Sequence, residues 1–383
     1  MRAGPDALLQ RSEDLHARVQ AAMSAEDLWE WDTDLFDELA LAVFAHQYDA
    51  CLPYRRFCDG RDVTPSNLRT WESIPAVPTE VFKSVDLFAF PAASATTTFL
   101  TSGTRFGAQG RHLLRTDATY LASLAPWLDR FLLCGLAPTA ESPQVFVLAP
   151  RSADDPGSSL SHMLQWALDR RGGPGSRFFW SEEGPALAAC EAALAAASGG
   201  TVPVLLLATS RALDALLQST LATWSLPPGS VVMETGGPKS SGMAFDRARF
   251  HGELALRLGL PVASVVSEYG MTELGSQGYS PSLLRVVDKA AGRRWPSLDP
   301  DLHVFPPWCR VRALSPDDLS ILPFGARGLL CYWDLSNIDS VLCVLTADEG
   351  VVERAGVRLL GRSTAATPRG CSLAVEEIVG ASP

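Results

Sequence analysis

Between residues 144 and 267 apolar runs alternate with amphipathic stretches in a regular order. The pattern predicts strands at 144–149, 202–208, 229–234 and 262–267, and helices at 158–170, 183–198, 210–222 and 243–258. Near-continuous apolar strands separated by amphipathic helices specify an α/β fold with a parallel sheet covered on both faces. Upstream, Leu9, Leu15, Val19 and Met23 recur at helical spacing, and Phe36, Leu39, Ala40, Val43 and Phe44 share one face of a second helix. Asp32 or Thr33 can cap that helix, with Asp34 and Asp37 at its positive end. Pro53, Pro65, Pro75 and Pro78 then punctuate a loop-rich stretch as far as Phe82-Lys83. After Pro306-Pro307-Trp308 the pattern changes to short β-runs at 309–314, 328–333, 340–346 and 357–360, bounded by Pro323, Gly325, Gly350 and Gly361. These predict a small, mainly antiparallel subdomain. The division expected is 1–83 helical cover and lead-in, 84–303 α/β core, 304–360 β subdomain and 361–383 tail.

Three apolar runs end in polar, glycine-bearing turns. Val262–Val266 opens into Ser267-Glu268-Tyr269-Gly270-Met271-Thr272-Glu273, Thr96–Leu100 into Thr101-Ser102-Gly103-Thr104, and Val231–Met233 into Glu234-Thr235-Gly236-Gly237-Pro238-Lys239. Ligands of α/β sheets sit beyond the carboxyl ends of strands, so the three turns point to one composite site. Thr101, Ser102, Gly103 and Thr104 combine backbone N–H groups and hydroxyls, the two kinds of donor that hold phosphate, though an ordinary turn has the same composition. Glu273 could hold Mg²⁺ against a nucleotide while Thr272 bonds a phosphate. Asp348 could accept from ribose hydroxyls or simply belong to a turn, and Arg362 could meet a phosphate or lie on the surface.

Composition narrows the classes. The chain has 383 residues and a net charge of −11, without a Lys/Arg run, which argues against a nucleic-acid surface. No apolar window of membrane-spanning length and no apolar core of a signal peptide is seen, so the expectation is a cytoplasmic protein. The 8 cysteines lack CxxC spacing, which disfavours a disulfide framework or a zinc site. The lysines are Lys83, Lys239 and Lys289, so a catalytic lysine has few sources.

In chain order, Thr101–Thr104, Glu234–Gly237, Tyr269–Glu273, Thr346–Asp348 and Gly361-Arg362 resemble the core motifs of the adenylate-forming superfamily, which includes acyl- and aryl-CoA ligases and adenylation domains. Within it the chain is most similar to the acyl-protein synthetases of bacterial bioluminescence fatty-acid reductase (LuxE-type). That likeness adds Val77-Pro78 with Phe82-Lys83, Ser158-Ser159-Leu160 with Met163, Ser276-Gln277, Pro306-Pro307-Trp308, Asp334-Leu335-Ser336-Asn337 and Arg369-Gly370-Cys371-Ser372-Leu373. The resemblance implies the large N-terminal domain of that fold, with the C-terminal lid domain truncated or absent. It implies ATP-dependent activation of a fatty or aryl carboxylic acid as an acyl-adenylate, with Mg²⁺, then capture by an enzyme cysteine and delivery to a partner protein. Residue by residue, it places Gly236, Gly237, Tyr269 and Gly270 at the nucleotide, Thr272 at the AMP phosphate, Glu273 at Mg²⁺, Asp348 at the ribose and Arg362 at the hinge end of the site. Cys371 becomes the acyl-accepting thiol, with Arg362 and Arg369 to lower its pKa.

Two departures modify this picture. The usual phosphate loop continues Thr-Ser-Gly-Thr-Thr-Gly, whereas this chain has Arg105-Phe106-Gly107, so the expectation is either that Arg105 or Arg111 neutralises phosphate charge instead or that the loop no longer accepts pyrophosphate chemistry. The lid lysine has no counterpart, which leaves Lys239, after the Gly-Gly turn, ahead of Lys83. One alternative is a ligase or acyltransferase that delivers the acyl group to CoA or to the phosphopantetheine of an acyl carrier protein. Another is a catalytically silent binding subunit of a reductase or biosynthetic complex. Trp166, Phe178, Phe179 and Trp180 are apolar candidates for an acyl pocket or for core.

Overall fold

A computed structural model describes residues 4–24, 31–101, 109–136, 141–236, 246–292, 299–363 and 378. Its helices are α1 (Pro5–Met23), α2 (Thr33–Ala50), α3 (Leu52–Asp59), α4 (Ala118–Leu132), α5 (Ser159–Arg171), α6 (Leu187–Ala197), α7 (Ser210–Ser219), α8 (Arg247–Leu258) and α9 (Ser282–Ala290). The strands up to residue 185 are β1 (Val77–Pro78), β2 (Thr97–Leu100), β3 (Arg111–Leu114), β4 (Gln144–Leu148), β5 (Arg177–Phe178), β6 (Trp180–Ser181) and β7 (Gly184–Pro185). Those beyond are β8 (Val204–Thr209), β9 (Val231–Thr235), β10 (Val265–Tyr269), β11 (Gly278–Tyr279), β12 (Cys309–Leu314), β13 (Arg327–Asp334), β14 (Cys343–Glu353) and β15 (Gly356–Arg362). The chain divides into two compact units that interleave along the sequence: residues 1–127, 271–277 and 305–383, and residues 128–270 and 278–304. No described helix is long and apolar enough to cross a membrane.

The second unit carries the parallel sheet that the apolar strands predict, in the order β11-β10-β9-β8-β4-β5, with only β11 antiparallel to its neighbour. Leu206, Val232, Leu194, Leu213, Leu254 and Leu258 belong to one buried cluster, so strand and helix faces close on the same core. Several boundaries differ from the sequence expectation. The strand expected at 262–267 starts at Val265, because Pro261 opens a 3₁₀ turn over Val262–Ser264 in which the Ser264 N–H reaches the Pro261 carbonyl at 2.9 Å. It then runs on through Glu268 and Tyr269, which stay extended by pairing with Tyr279 and Gly278. The helix expected at 183–198 starts at Leu187, because Gly184, at φ 118°, and Pro185 form a short hairpin with Trp180 and Ser181. The helix expected at 210–222 ends at Ser219, where the Arg257 guanidinium draws the Thr220 and Ala222 carbonyls outward. The helix expected at 243–258 is described from Arg247, with Asp246 accepting from the Arg249 N–H at 3.0 Å as its cap. Helices α4 and α9 have no counterpart in the sequence expectation.

The first unit carries a second sheet, β1-β14-β13-β12 with β15 on β14, antiparallel apart from β1. Gly350 was read as the end of a β-run, yet β14 continues through Asp348 and Gly350 to Glu353 with a register shift at Glu349/Gly350. A Cβ on Gly350 would lie 2.7 Å from the Arg358 carbonyl, so this glycine serves close strand approach, not strand termination. β2, the apolar run that opens into Thr101, forms a two-stranded antiparallel ribbon with β3. The N-terminal helices are tied to residues 337–342 by buried polar contacts. His16 lies between Thr119 Oγ1 (2.6 Å) and Asp339 Oδ1 (3.1 Å), while Gln47 donates to the Asn337 carbonyl at 2.6 Å and accepts from the Leu342 N–H at 2.9 Å.

Candidate functional site

In the first unit the segment 271–277 is held by its backbone. Buried Asp334, at the end of β13, accepts from the Gly275 and Ser276 N–H groups at 3.0 and 2.9 Å and from the Ser276 hydroxyl at 2.8 Å. The Ser336 N–H and hydroxyl, at 3.0 and 2.6 Å, complete its hydrogen bonds. Burial pushes this carboxyl's pKa up even so. Gly275 is required here, since a Cβ would lie 2.2 Å from Ser336 Oγ. Asn337 donates to the Glu273 carbonyl at 2.8 Å. His112, buried on β3, meets the Thr272 carbonyl through Nδ1 at 2.6 Å, which makes Nδ1 the protonated nitrogen and leaves Nε2 buried without a hydrogen-bond partner among the described residues. Phe82 packs its ring edge-on to His112, at 6.1 Å between centroids.

These contacts fix the predicted site residues of this unit. Glu273 is 8% exposed, and burial pushes its pKa up to about 7 against the opposing charges of Lys83 and Arg362. Thr272 Oγ1 donates to the Leu100 carbonyl at 3.3 Å. Asp348 and Arg362 face each other across β14 and β15, with Arg362 Nε 3.7 Å from Asp348 Oδ1. Glu273, Lys83, Arg362 and Asp348 thus form a mixed-charge cluster. Thr101 is buried, and its Oγ1 accepts from the Gly110 N–H at 2.8 Å. Arg111 forms a two-point ion pair with Asp86 at 3.2 and 2.5 Å, both side chains being exposed.

In the second unit two carboxylates lie on adjacent strands. Glu234 on β9 receives Ser210 Oγ and faces His251 Nε2 at 3.2 Å and Arg247 Nε at 3.8 Å. Burial works to raise its pKa, but hydrogen bonds from His251, Ser210 and Ser267 and the charge of Arg247 outweigh it and hold the carboxyl down at about 2. Glu268 on β10 has the opposite fate. Burial pushes it up to about 7 despite the hydroxyl of Thr235, which donates to it. The register pairs Ser267 with Glu234 and Glu268 with Thr235, so the two acids project from opposite sheet faces. His303 contacts Ser267 Oγ at 3.2 Å through Nε2, and burial lowers its pKa to about 3. Gly236 closes β9 at φ 78°, a left-handed conformation suited to glycine, and Tyr269 sets its ring 6.2 Å from that of His303. Gly270 is exposed directly after β10.

Ser102, Gly103, Thr104, Arg105, Gly237, Lys239, Arg369 and Cys371 lie outside the described residues. Phe179 is core, 5.3 Å from Phe146, while Trp166 lies under the Arg171 guanidinium. Sequence reasoning gave no site role to Asp334, His112, Glu268 or His303. For Asp334 the signal was the Asp-Leu-Ser-Asn motif, and for Glu268 its place directly before Tyr269-Gly270. No group of three or more potential metal-ligating side chains occurs among the described residues. A lone buried carboxylate such as Glu273 still fits Mg²⁺, which is commonly held by one or two carboxylates together with substrate phosphates.

The chain shares its architecture with solved structures of 2-hydroxyisobutyryl-CoA ligase. The open form, in complex with 2-HIB-AMP and CoA, aligns with a TM-score of 0.60 and 14% identity over 88% of this chain and 73% of the ligase. The postadenylation state with 2-HIB-AMP aligns with a TM-score of 0.58 and 14% identity over 94% and 70%. The fold is that of the adenylate-forming enzymes. The thioesterification state of the same ligase gives a TM-score of 0.54 at 14% identity over 92% and 68%. No protein-family model and no curated protein matches the sequence.

Proposed function

We propose that the chain activates a carboxylic acid with ATP as an acyl-adenylate and passes the acyl group to a thiol. The carrying observation is the Thr272-Glu273 turn, pinned through its backbone by His112 and Asn337, with the Glu273 carboxyl buried near Lys83 and Arg362. The fold shared with a ligase captured with an acyl-AMP supports the same reading. In the first half-reaction a carboxylate oxygen attacks the α-phosphorus, the bond to the β-phosphate breaks, and pyrophosphate leaves. In the second, a thiolate attacks the acyl carbon and AMP leaves with the electron pair of the mixed anhydride. Glu273 would hold Mg²⁺, which supplies charge neutralisation at the phosphates. Its raised pKa means that cation binding and loss of its proton are coupled. Lys83 and Arg362 add positive charge at the same cluster, and Asp348 is the candidate for the ribose hydroxyls.

The acceptor thiol is argued by the other cysteines. Cys51, Cys58, Cys190, Cys309, Cys331 and Cys343 are buried, and burial pushes Cys51 up to about 11 and Cys58 and Cys190 to about 12. Such thiols are poor nucleophiles near neutrality. Cys134 is partly exposed and donates to the Phe131 carbonyl at 3.9 Å. The reading carries two acceptors: Cys371, handing the acyl group to a partner protein, or an added thiol of CoA or carrier-protein phosphopantetheine.

Carboxylate-dependent ATP–pyrophosphate exchange over a panel of acids tests the first step. Wild type should exchange, and Glu273→Gln should lose about 100-fold or more. Exchange kept in Cys371→Ser with acyl labelling of the protein lost assigns the acceptor to Cys371. Turnover in that variant on adding CoA assigns it to the external thiol. Absence of exchange with every acid would overturn the adenylation reading.

A further inference from the structure

Two strands of the first unit bring a pair of thiols into contact. The register sets Cys331 opposite Leu345 and Trp333 opposite Cys343, so the two cysteines lie diagonally on one face of β13 and β14. Their Sγ atoms are 3.4 Å apart, where one S–H donates to the other sulfur. Both side chains are fully buried. Cys51, Cys58 and Cys343 all lie within electrostatic reach of Tyr54, so other thiols compete for any bridge.

The pair stands at the base of the connection that holds the site segment. Residues 335–342 join β13 to β14. Asp334 accepts from the Gly275 and Ser276 N–H groups, and Asn337 donates to the Glu273 carbonyl. A covalent link from Cys331 to Cys343 would close this connection into a ring. It would also move backbone, because sulfurs 3.4 Å apart must come to about 2.05 Å in a disulfide. Diagonal neighbours are spaced more widely than directly opposed pairs, which enlarges the movement. A close-packed core has no slack to absorb it, so β13 shifts against β14 and carries Asp334 with it.

Burial selects the reagent. It keeps charged and bulky disulfides away from these sulfurs, whereas hydrogen peroxide is small and neutral. Burial and the adjacent Cys331 also raise Cys343 well above the ordinary thiol range, so the proton of the pair rests on Cys343 and Cys331 is the attacking sulfur. We propose that Cys331 and Cys343 form a peroxide-sensitive dithiol whose oxidation to a disulfide loosens the hold on the site segment. The Cys331 sulfur attacks a peroxide oxygen, the O–O bond breaks, and the released hydroxide takes the thiol proton and leaves as water, giving a sulfenic acid. The Cys343 sulfur then attacks the sulfenic sulfur, the S–O bond breaks, and the oxygen leaves with the Cys343 proton as a second water. Two thiols and one peroxide thus give one disulfide and two waters. The effect on catalysis rests on the adenylation reading, and the bridge does not.

The full chain, reduced and then freed of reductant, is treated with hydrogen peroxide in the folded state, denatured, alkylated and digested with trypsin. Cleavage after Arg327 and Arg354 leaves both cysteines in one peptide, 328–354. That peptide should lose two hydrogens and take up no alkyl group, and dithiothreitol should reverse the change. Cys343→Ser should stop at a sulfenic acid on Cys331 that dimedone captures, and Cys331→Ser should leave Cys343 reduced. A peptide that stays a dithiol under peroxide that oxidises the urea-unfolded chain would overturn the bridge, as would a bridge from either cysteine to Cys51 or Cys58. Carboxylate-dependent ATP–pyrophosphate exchange should fall about tenfold or more on bridging, recover with dithiothreitol, and be spared in Cys331→Ala. Undiminished exchange in the bridged chain removes the control of the site segment and leaves the bridge. Absence of exchange in the reduced chain with every acid removes adenylation and leaves the bridge.

Discussion

Glu268 and Glu273 are both raised to about 7 by burial, while Glu234, equally buried, is held down at about 2. Three glutamates at strand ends look alike in a sequence, and what separates them is who donates to them. Glu234 has Ser210, His251 and Arg247, whereas Glu268 has a single hydroxyl donor, Thr235. The folded pKa of Glu268 lies above its unfolded value. Its contribution to stability is therefore fully present below about pH 4.5 and is lost as pH rises through about 7. Glu268→Gln keeps an acceptor for Thr235 and should abolish that loss. We expect the variant to exceed wild type at pH 8 by on the order of 3 kcal/mol and to match it near pH 4.5, as read from urea unfolding. Unchanged stability at pH 8 would mean that Glu268 is not raised. Glu273 was marked in the sequence by Tyr269-Gly270-Met271-Thr272, but its protonation state depends on residues far away in the chain, Lys83 and Arg362 among them.

Elements are where the sequence pattern and the structure part most often, at the ends of those it located and in the whole of α4 and α9, which it did not. Periodicity locates α7, α8 and β10, but Arg257 terminates α7 and Pro261 delays β10, and both act through tertiary contacts or turn geometry. α8 ends at Gly259, at φ 67°, where an added Cβ would stand 2.6 Å from the Trp224 carbonyl. Gly259→Ala combines left-handed strain with that clash and should cost about 1–3 kcal/mol in urea unfolding. The turn after β10 depends on one acceptor. Asp334→Ala strips the Gly275 and Ser276 N–H groups of their partner and should destabilise by on the order of 3 kcal/mol, with a lower melting temperature. Asp334→Asn, which keeps one acceptor oxygen, should fall between the two. The Asp-Leu-Ser-Asn motif announced that something is held here. Only the structure identifies it as the backbone of the site segment.

For the molecule as a whole, the raised glutamates and the lowered histidines oppose each other between about pH 4.5 and 6.5. Burial lowers His46 to about 4 and His303 to about 3, and it lowers His112 as well, so their contribution is present above their unfolded value of 6.5 and is lost as pH falls through the folded pKa. Glu268 and Glu273 contribute with the reverse sign over nearly the same window. Below about pH 4.5 the balance ends. Glu234, held at about 2, then loses its stabilisation together with His46 and His303. Unfolding free energy should therefore be nearly flat from about pH 4.5 to 7 and fall steeply below. A steady decline from pH 7 to 5 would show that the histidines dominate.

Apolar runs and their spacing were enough for an α/β fold with a parallel sheet and for antiparallel strands after residue 308, because strand and helix periodicities follow from local geometry and from the need to bury one face. Turn chemistry marked the segments around Glu234 and Thr272-Glu273 as candidates, because glycine and hydroxyl residues at strand ends are local signals, whereas the turn read at Asp348 lies inside β14. Which residues share an environment is not local. The meeting of His112 with Thr272, of Asp334 with Gly275 and of Glu234 with His251 joins positions remote in the chain, and these contacts set charge, tautomer and hydrogen bonding. Those properties are decided by burial and by through-space partners, which exist only after the chain has folded.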